Sequence, residues 1–165
     1  MEYLGLYNDE GIYTNESIER SKKTEVPKGR YFRVIIVFIE NSNGEFLIQK
    51  VSKEKGGIYA TTGGHVKDGS TSLETVKEEI FEELGISINN GIELFKTYKY
   101  DKAYQDCYYV KKDIDINKIN LQLEEVESVS WLSVEEINKL IEENKFRKNN
   151  IESLRELIKK QGSNL

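Results

Sequence analysis

The stretch GGHVKDGSTSLETVKEEIFEELGI, residues 63–86, decides how the rest of the chain is read. It opens on a glycine pair, closes on Leu84-Gly85-Ile86, and holds one helical pattern between them. At about 100° per residue, a helix over Ser72–Leu84 places Leu73, Val76, Ile80 and Leu84 on one stripe, the expected core face. Glu79, Glu82 and Glu83, spaced i, i+3 and i+4, gather on a second stripe beside it, with Lys77 nearly opposite Glu79. Like charges at this spacing repel by a few tenths of a kcal/mol per pair. Acids toward a helix C-terminus also oppose its dipole. Two readings compete: the carboxylates supply hard oxygen ligands for Mg²⁺ or Mn²⁺, or they form a solvated face. A solvated face would interleave lysines at i+4, and none stands on this side. The flanking glycines add to the metal reading. Gly85 suits a left-handed helix stop, and Gly63-Gly64 would let the backbone approach a ligand closely.

Outward from this helix, the bulk composition sets limits. A chain of 165 residues with 38% hydrophobic and 32% charged residues is expected to form one domain over residues 1–165, with a core that needs no staples. A net charge of -5 argues against duplex nucleic acid as the main partner. It leaves small phosphorylated ligands open, because a metal ion reverses the local field. The lone Cys107 cannot form an internal disulfide. The longest apolar run, Val34–Ile39, is too short for a membrane span and suits a buried strand. MEYLGLYNDEG lacks the basic and apolar regions of a signal peptide, so the expected location is the cytoplasm, without membrane attachment.

Along the chain, YLGLYNDEGIYT reads as a hairpin turning near Gly11, and NESIERSKKTEVPKG as a connector, together residues 1–30. YFRVIIVFIE, NSNG and EFLIQKVS give a central strand, a turn and an antiparallel partner. After the acidic helix, IELFKTYKYDKAYQDCYYVKKDID is a second, aromatic-rich hairpin, and INKINLQLEE a polar connector. VESVSWLS is the last strand. Ser133 and Glu136 form a capping box that opens the C-terminal helices, residues 133–165. In the last of these, Ile151, Leu154, Leu157 and Ile158 share a stripe. The class is α+β.

From Gly64 onward the stretch also resembles the Nudix box, which is G, five residues, E, seven residues, then R-E-U-x-E-E-x-G-U with U aliphatic. Gly64, Glu79, Ile80, Glu82, Glu83, Gly85 and Ile86 fall where that pattern wants them. The resemblance implies an α/β/α sandwich with a mixed sheet between helices. It implies hydrolysis of a diphosphate linkage in a small, nucleoside-diphosphate-type substrate by water activated on Mg²⁺ or Mn²⁺. Carried over by position, Glu79, Glu82, Glu83 and the Gly63 carbonyl would hold metal. Glu79 and Glu82 would serve catalysis, and Glu125, six residues before Trp131, is the matching acid from a later loop, with Glu124 in reserve. Two box positions depart from the pattern: Ser70 replaces its first glutamate and Glu78 its arginine. Loss of that arginine removes the cationic partner of the carboxylates. The alternative is therefore a weakly catalytic or non-catalytic Nudix module that binds a phosphorylated ligand.

The opening hairpin and ATTGGH look closest to the isopentenyl-diphosphate-isomerase-like branch of that superfamily. The isomerase chemistry known for that branch needs a cysteine before His65 and a glutamate in a later strand, and the chain has Gly64 and Gln105 there. Isomerase activity is therefore disfavoured. Gly64, His65, Tyr59 and Tyr104 are the expected substrate contacts, each set against plain packing. Tyr100, Lys50, Lys53 and Lys55 are further residues near the expected site. The expected partner is a small diphosphate compound, and the assembly a monomer or homodimer.

Overall fold

The computed structural model describes residues 1–163. Its centre is β3 (Phe32–Glu40), the apolar run expected to be buried. Six of its nine residues are buried because both faces of the strand are covered. β3 runs parallel to β8 (Ala103–Lys111) from Phe32 opposite Ala103 to Glu40 opposite Lys111. β8 pairs antiparallel with β7 (Glu93–Lys99), which makes the sheet mixed. β4 (Phe46–Val51) follows β3 through the Asn43-Gly44 turn, yet the two pair only at Glu40 opposite Phe46. Beyond the turn they diverge. β6 (Thr62–His65) takes the open edge of β3, while β9 (Val126–Leu132) and β5 (Tyr59–Ala60) take β4. The divergence opens the middle of the sheet, and the glycine pair of β6 lines that opening.

Helix α1 (Ser72–Leu84) covers one face. Val76, Ile80 and Leu84 pack there against Ile35, Val37, Ile39, Leu47 and Val110. Helices α2 (Val134–Glu142) and α3 (Lys148–Ser163) cover the other, where Ile137, Leu154 and Leu157 meet Ile36, Phe38, Phe46 and Ile48. The result is the expected α/β/α sandwich. α1 spans the expected residues, and Thr71 and Glu74 close its start with a capping box that the sequence reading passed over. Gly85 ends it at φ 69°, the left-handed stop. Ser133 and Glu136 cap α2 as expected.

Three local expectations need correction. Leu73 is 39% exposed because the first turn of α1 overhangs the sheet, and Thr75 occupies the buried position instead. Asn15–Glu19, expected as connector, extends the second strand of the hairpin, β2 (Tyr13–Glu19), against β1 (Tyr3–Tyr7). A two-stranded ribbon needs few inward side chains, and here Ile18 packs inward, so a polar sequence still pairs. The segment INKINLQLEE is more than a polar connector, since Ile116, Ile119 and Leu121 pack onto the α1 side of the core. Among the described residues, no helix is long and apolar enough to cross a membrane.

Candidate active site

The three box glutamates leave α1 in different directions. Glu79 and Glu83 turn partly inward, while Glu82 stays exposed. Glu79 lies against Gly64 so closely that a Cβ there would come within 2.4 Å of the Glu79 carboxyl carbon. A side chain at residue 64 would therefore displace the Glu79 carboxyl from its place. Glu83 accepts a hydrogen bond from Gln49 Nε2 at 3.2 Å and another from the Gly63 backbone N–H. Burial, then the charges of Glu83 and Glu82, push Glu79 up to about 8. Lys67 and Arg20 oppose that rise. Burial pushes Glu83 up to about 7 against the pull of Gln49, Gly63 and Arg147. Both carboxylates therefore hold a proton far more readily than exposed ones, because burial disfavours their charged forms more than the nearby cations favour them.

Among the described residues, no three carboxylate, thiol or imidazole groups form a ready-made metal cage. The expectation that Glu79, Glu82 and Glu83 converge is corrected to that extent: Glu79 is drawn to β6, Glu83 to Gln49, and Glu82 to solvent. The donor set still fits a hard divalent cation. Two carboxylates are held partly out of water beside each other and beside a glycine backbone, where a positive charge would favour their ionised forms.

Glu83, Gly63 and Gly64 border a cavity of about 600 Å³ that opens where β3 and β4 diverge. Its lining combines apolar Phe32, Val34, Ile36 and Ala103 and polar Gln49, Thr61, Gln105 and Asn150 with the cations Arg20, Lys23, Lys55 and Arg147. Glu125 also borders it and pairs with Lys55 at 3.2 Å, whereas Glu124 contributes only its carbonyl to Ser52. His65 borders the cavity too, accepts from Lys23 Nζ at 3.0 Å and stacks on Phe32. Burial, then Arg20 and Lys23, lower its pKa to about 4, so the ring is neutral near pH 7.

Two expected substrate contacts stand elsewhere. The Tyr59 ring packs against the α2–α3 side of the core, with Lys50 6.0 Å from its centroid. Tyr104 points to the other face of the sheet, where its hydroxyl donates to the Asn8 carbonyl at 2.8 Å and Arg33 lies 4.7 Å from its ring centroid. Strand alternation is the reason: Ala103 and Gln105 face the cavity, so Tyr104 between them cannot. The sequence reading missed Arg20, Lys23, Gln49 and Arg147, which come from segments distant in the chain.

A mixed sheet that presents a glycine-paired edge strand to acidic side chains on a helix, beside a cavity lined with cations, defines an enzyme for phosphorylated small molecules. Residues 30–156 match the NUDIX domain, and the chain belongs to that family. It is 30% identical over 151 residues to an uncharacterized Nudix hydrolase of Listeria monocytogenes, covering 88% of both chains. Its fold resembles that of DR0079 from Deinococcus radiodurans, with a TM-score of 0.78 and 20% identity, covering 94% of this chain and 98% of that one. It also resembles the NUDIX domain of Shewanella oneidensis NrtR, solved with ADP ribose, with a TM-score of 0.66 and 11% identity over 87% of this chain and 99% of that one. The chain is thus a Nudix-type diphosphate hydrolase. The isomerase-like branch finds no separate support in these relatives.

Proposed function

We propose that the chain hydrolyses the diphosphate of a nucleoside-diphosphate-type small molecule with the aid of Mg²⁺ or Mn²⁺. The observation that carries this reading is the pair of inward carboxylates, Glu79 against Gly64 and Glu83 bonded to the Gly63 N–H, with Glu83, Gly63 and Gly64 lining the cavity. Glu79, Glu82, Glu83 and the Gly63 carbonyl would hold the cation, which supplies Lewis acidity and lowers the pKa of a bound water. Around it, the chain's own groups have separable tasks. Arg147 and Lys55 on one side and Arg20 and Lys23 on the other offset phosphate charge. Gln49 and the Gly63 N–H fix the Glu83 carboxylate. Glu125, released from Lys55, is the acid placed to accept a proton at the cavity edge. Neutral His65, its Nε2 accepting from Lys23, has its Nδ1–H left to donate.

The test is phosphate release from a panel of diphosphate compounds in Mg²⁺, run beside Glu82→Gln. Turnover of one compound, abolished by that change, supports hydrolysis. Binding of the same compound without turnover would leave the second reading, a sensing module, which Ser70 and Glu78 at the two departed box positions favour.

A further inference from the structure

Gln105 is 1% exposed and lines the cavity, on the strand that runs parallel to β3. Its Nε2 donates to the Asn149 carbonyl at 3.0 Å and lies 3.6 Å from Cys107 Sγ. A backbone carbonyl only accepts, so the orientation of the amide is fixed with nitrogen toward α3 and oxygen away from it. Among the described residues, no hydrogen bond reaches Gln105 Oε1. No fully enclosed side-chain nitrogen or oxygen lacks a partner, so Oε1 retains some access, and the opening that Gln105 borders is the cavity. The same cavity is lined by hydrocarbon at Phe32, Val34, Ile36 and Ala103 and by further polar side chains at Gln49, Thr61, Asn149 and Asn150. Among the described residues, Gln49 Oε1 also receives no hydrogen bond, but it lies on the Glu83 side, where Gln49 Nε2 is engaged. Gln105 Oε1 is the free acceptor on the strand that also brings Ala103 to the cavity.

We infer that Gln105 Oε1 selects the group beyond the diphosphate, accepting a hydrogen bond from an N–H or O–H on a ring such as a nucleobase or a sugar. The inference rests on the diphosphate reading for its placement of the phosphates beside Glu83, Gly63 and Gly64. An alkyl or isoprenoid chain has the right surface for the apolar lining but no donor, and burying it there strands the glutamine oxygen. A site built around a buried acceptor rejects a ligand that cannot satisfy it far more strongly than an apolar site rejects an extra hydroxyl. A nucleobase and a sugar share the required chemistry, and the assay separates them.

The experiment is calorimetric binding in Mg²⁺ of three probes to wild type and Gln105→Leu: α,β-methylene-ADP, ADP-ribose and isopentenyl diphosphate. Wild type should bind at least one polar probe on the order of tenfold or more tightly than isopentenyl diphosphate. Gln105→Leu should weaken that probe about tenfold and leave isopentenyl diphosphate equal or tighter. Weakening of both polar probes places the adenosine at Gln105. Weakening of ADP-ribose alone places the terminal ribose there. Isopentenyl diphosphate bound by wild type as tightly as both polar probes overturns the inference, and this arm needs no variant to fold. Equal effects of the substitution on all three probes also overturn it. ADP-ribose that binds selectively but is never hydrolysed would sink the hydrolase reading for it and leave the role of Gln105 standing, whereas α,β-methylene-ADP, with no cleavable bridge, reports binding alone.

Discussion

Asp106 and the Glu79–Glu83 pair are acidic groups held in the same domain, and they are treated in opposite ways. Asp106, 2% exposed, accepts from Arg33 at 2.7 and 2.9 Å, from Ser72 at 2.6 Å and from Thr97 at 2.8 Å. Arg33 in turn lies 4.6 Å from the Tyr7 ring centroid and reaches the Gly11 carbonyl. This charge is answered on every side, and it ties the hairpin, β3, β8 and the start of α1 together. Glu83 receives only the neutral donors Gln49 and the Gly63 N–H, neither Glu79 nor Glu83 has an ion pair among the described residues, and burial pushes both toward the neutral form. On the proposed reading, that difference separates a structural carboxylate from two kept for a cation.

The sharpest way to break that contrast is to remove each acid in turn. Asp106→Asn strands the Arg33 charge, and should cost about 3–5 kcal/mol of stability, read as a fall in Tm of roughly 10 °C. Activity per folded molecule should persist. Glu79→Gln should do the reverse, lowering kcat about 100-fold or more while Tm holds or rises, since like-charge repulsion disappears. If both variants lose stability alike, the two sites are not different in kind.

A third test uses pH. Folded His65 has a pKa of about 4, below the unfolded value near 6.5. The unfolded chain therefore binds a proton in that window that the folded chain refuses, so the contribution of His65 to stability should fall as pH drops from about 6.5 toward 4. Its sign is opposite to that of Glu79 and Glu83, whose raised values favour the folded state as pH drops. His65→Gln should flatten the contribution, as seen in denaturant midpoints across that range. The smallest effect is expected at Cys107, whose thiol burial pushes up to about 12. Maleimide labelling of native protein at neutral pH should be negligible, and labelling should appear on unfolding.

Much of this was legible in the sequence where one periodic signal dominated. The stripe of Val76, Ile80 and Leu84, the Ser133 capping box and the Asn43-Gly44 turn all carry their own local physics. The site was legible where spacing along a single helix set it, at Glu79, Glu82 and Glu83. It was not legible where strands from distant segments had to be aligned. Arg147 and Arg20 reach the cavity only through tertiary packing, and Tyr104 was misplaced because the register of β8 decides which neighbour faces in. Leu73 shows the same limit on the helix: periodicity gives its stripe, while the edge of the sheet decides whether that stripe is covered.

The central claim, which rests on the proposed function, is that Glu79 and Glu83 are kept without an ion pair for a divalent cation. The direct measurement is a Mn²⁺ titration followed by electron paramagnetic resonance, on wild type and on the Glu79→Gln/Glu83→Gln double variant. The account predicts saturable binding to wild type and a loss of about 100-fold in the variant. Equal affinity for both proteins would contradict it.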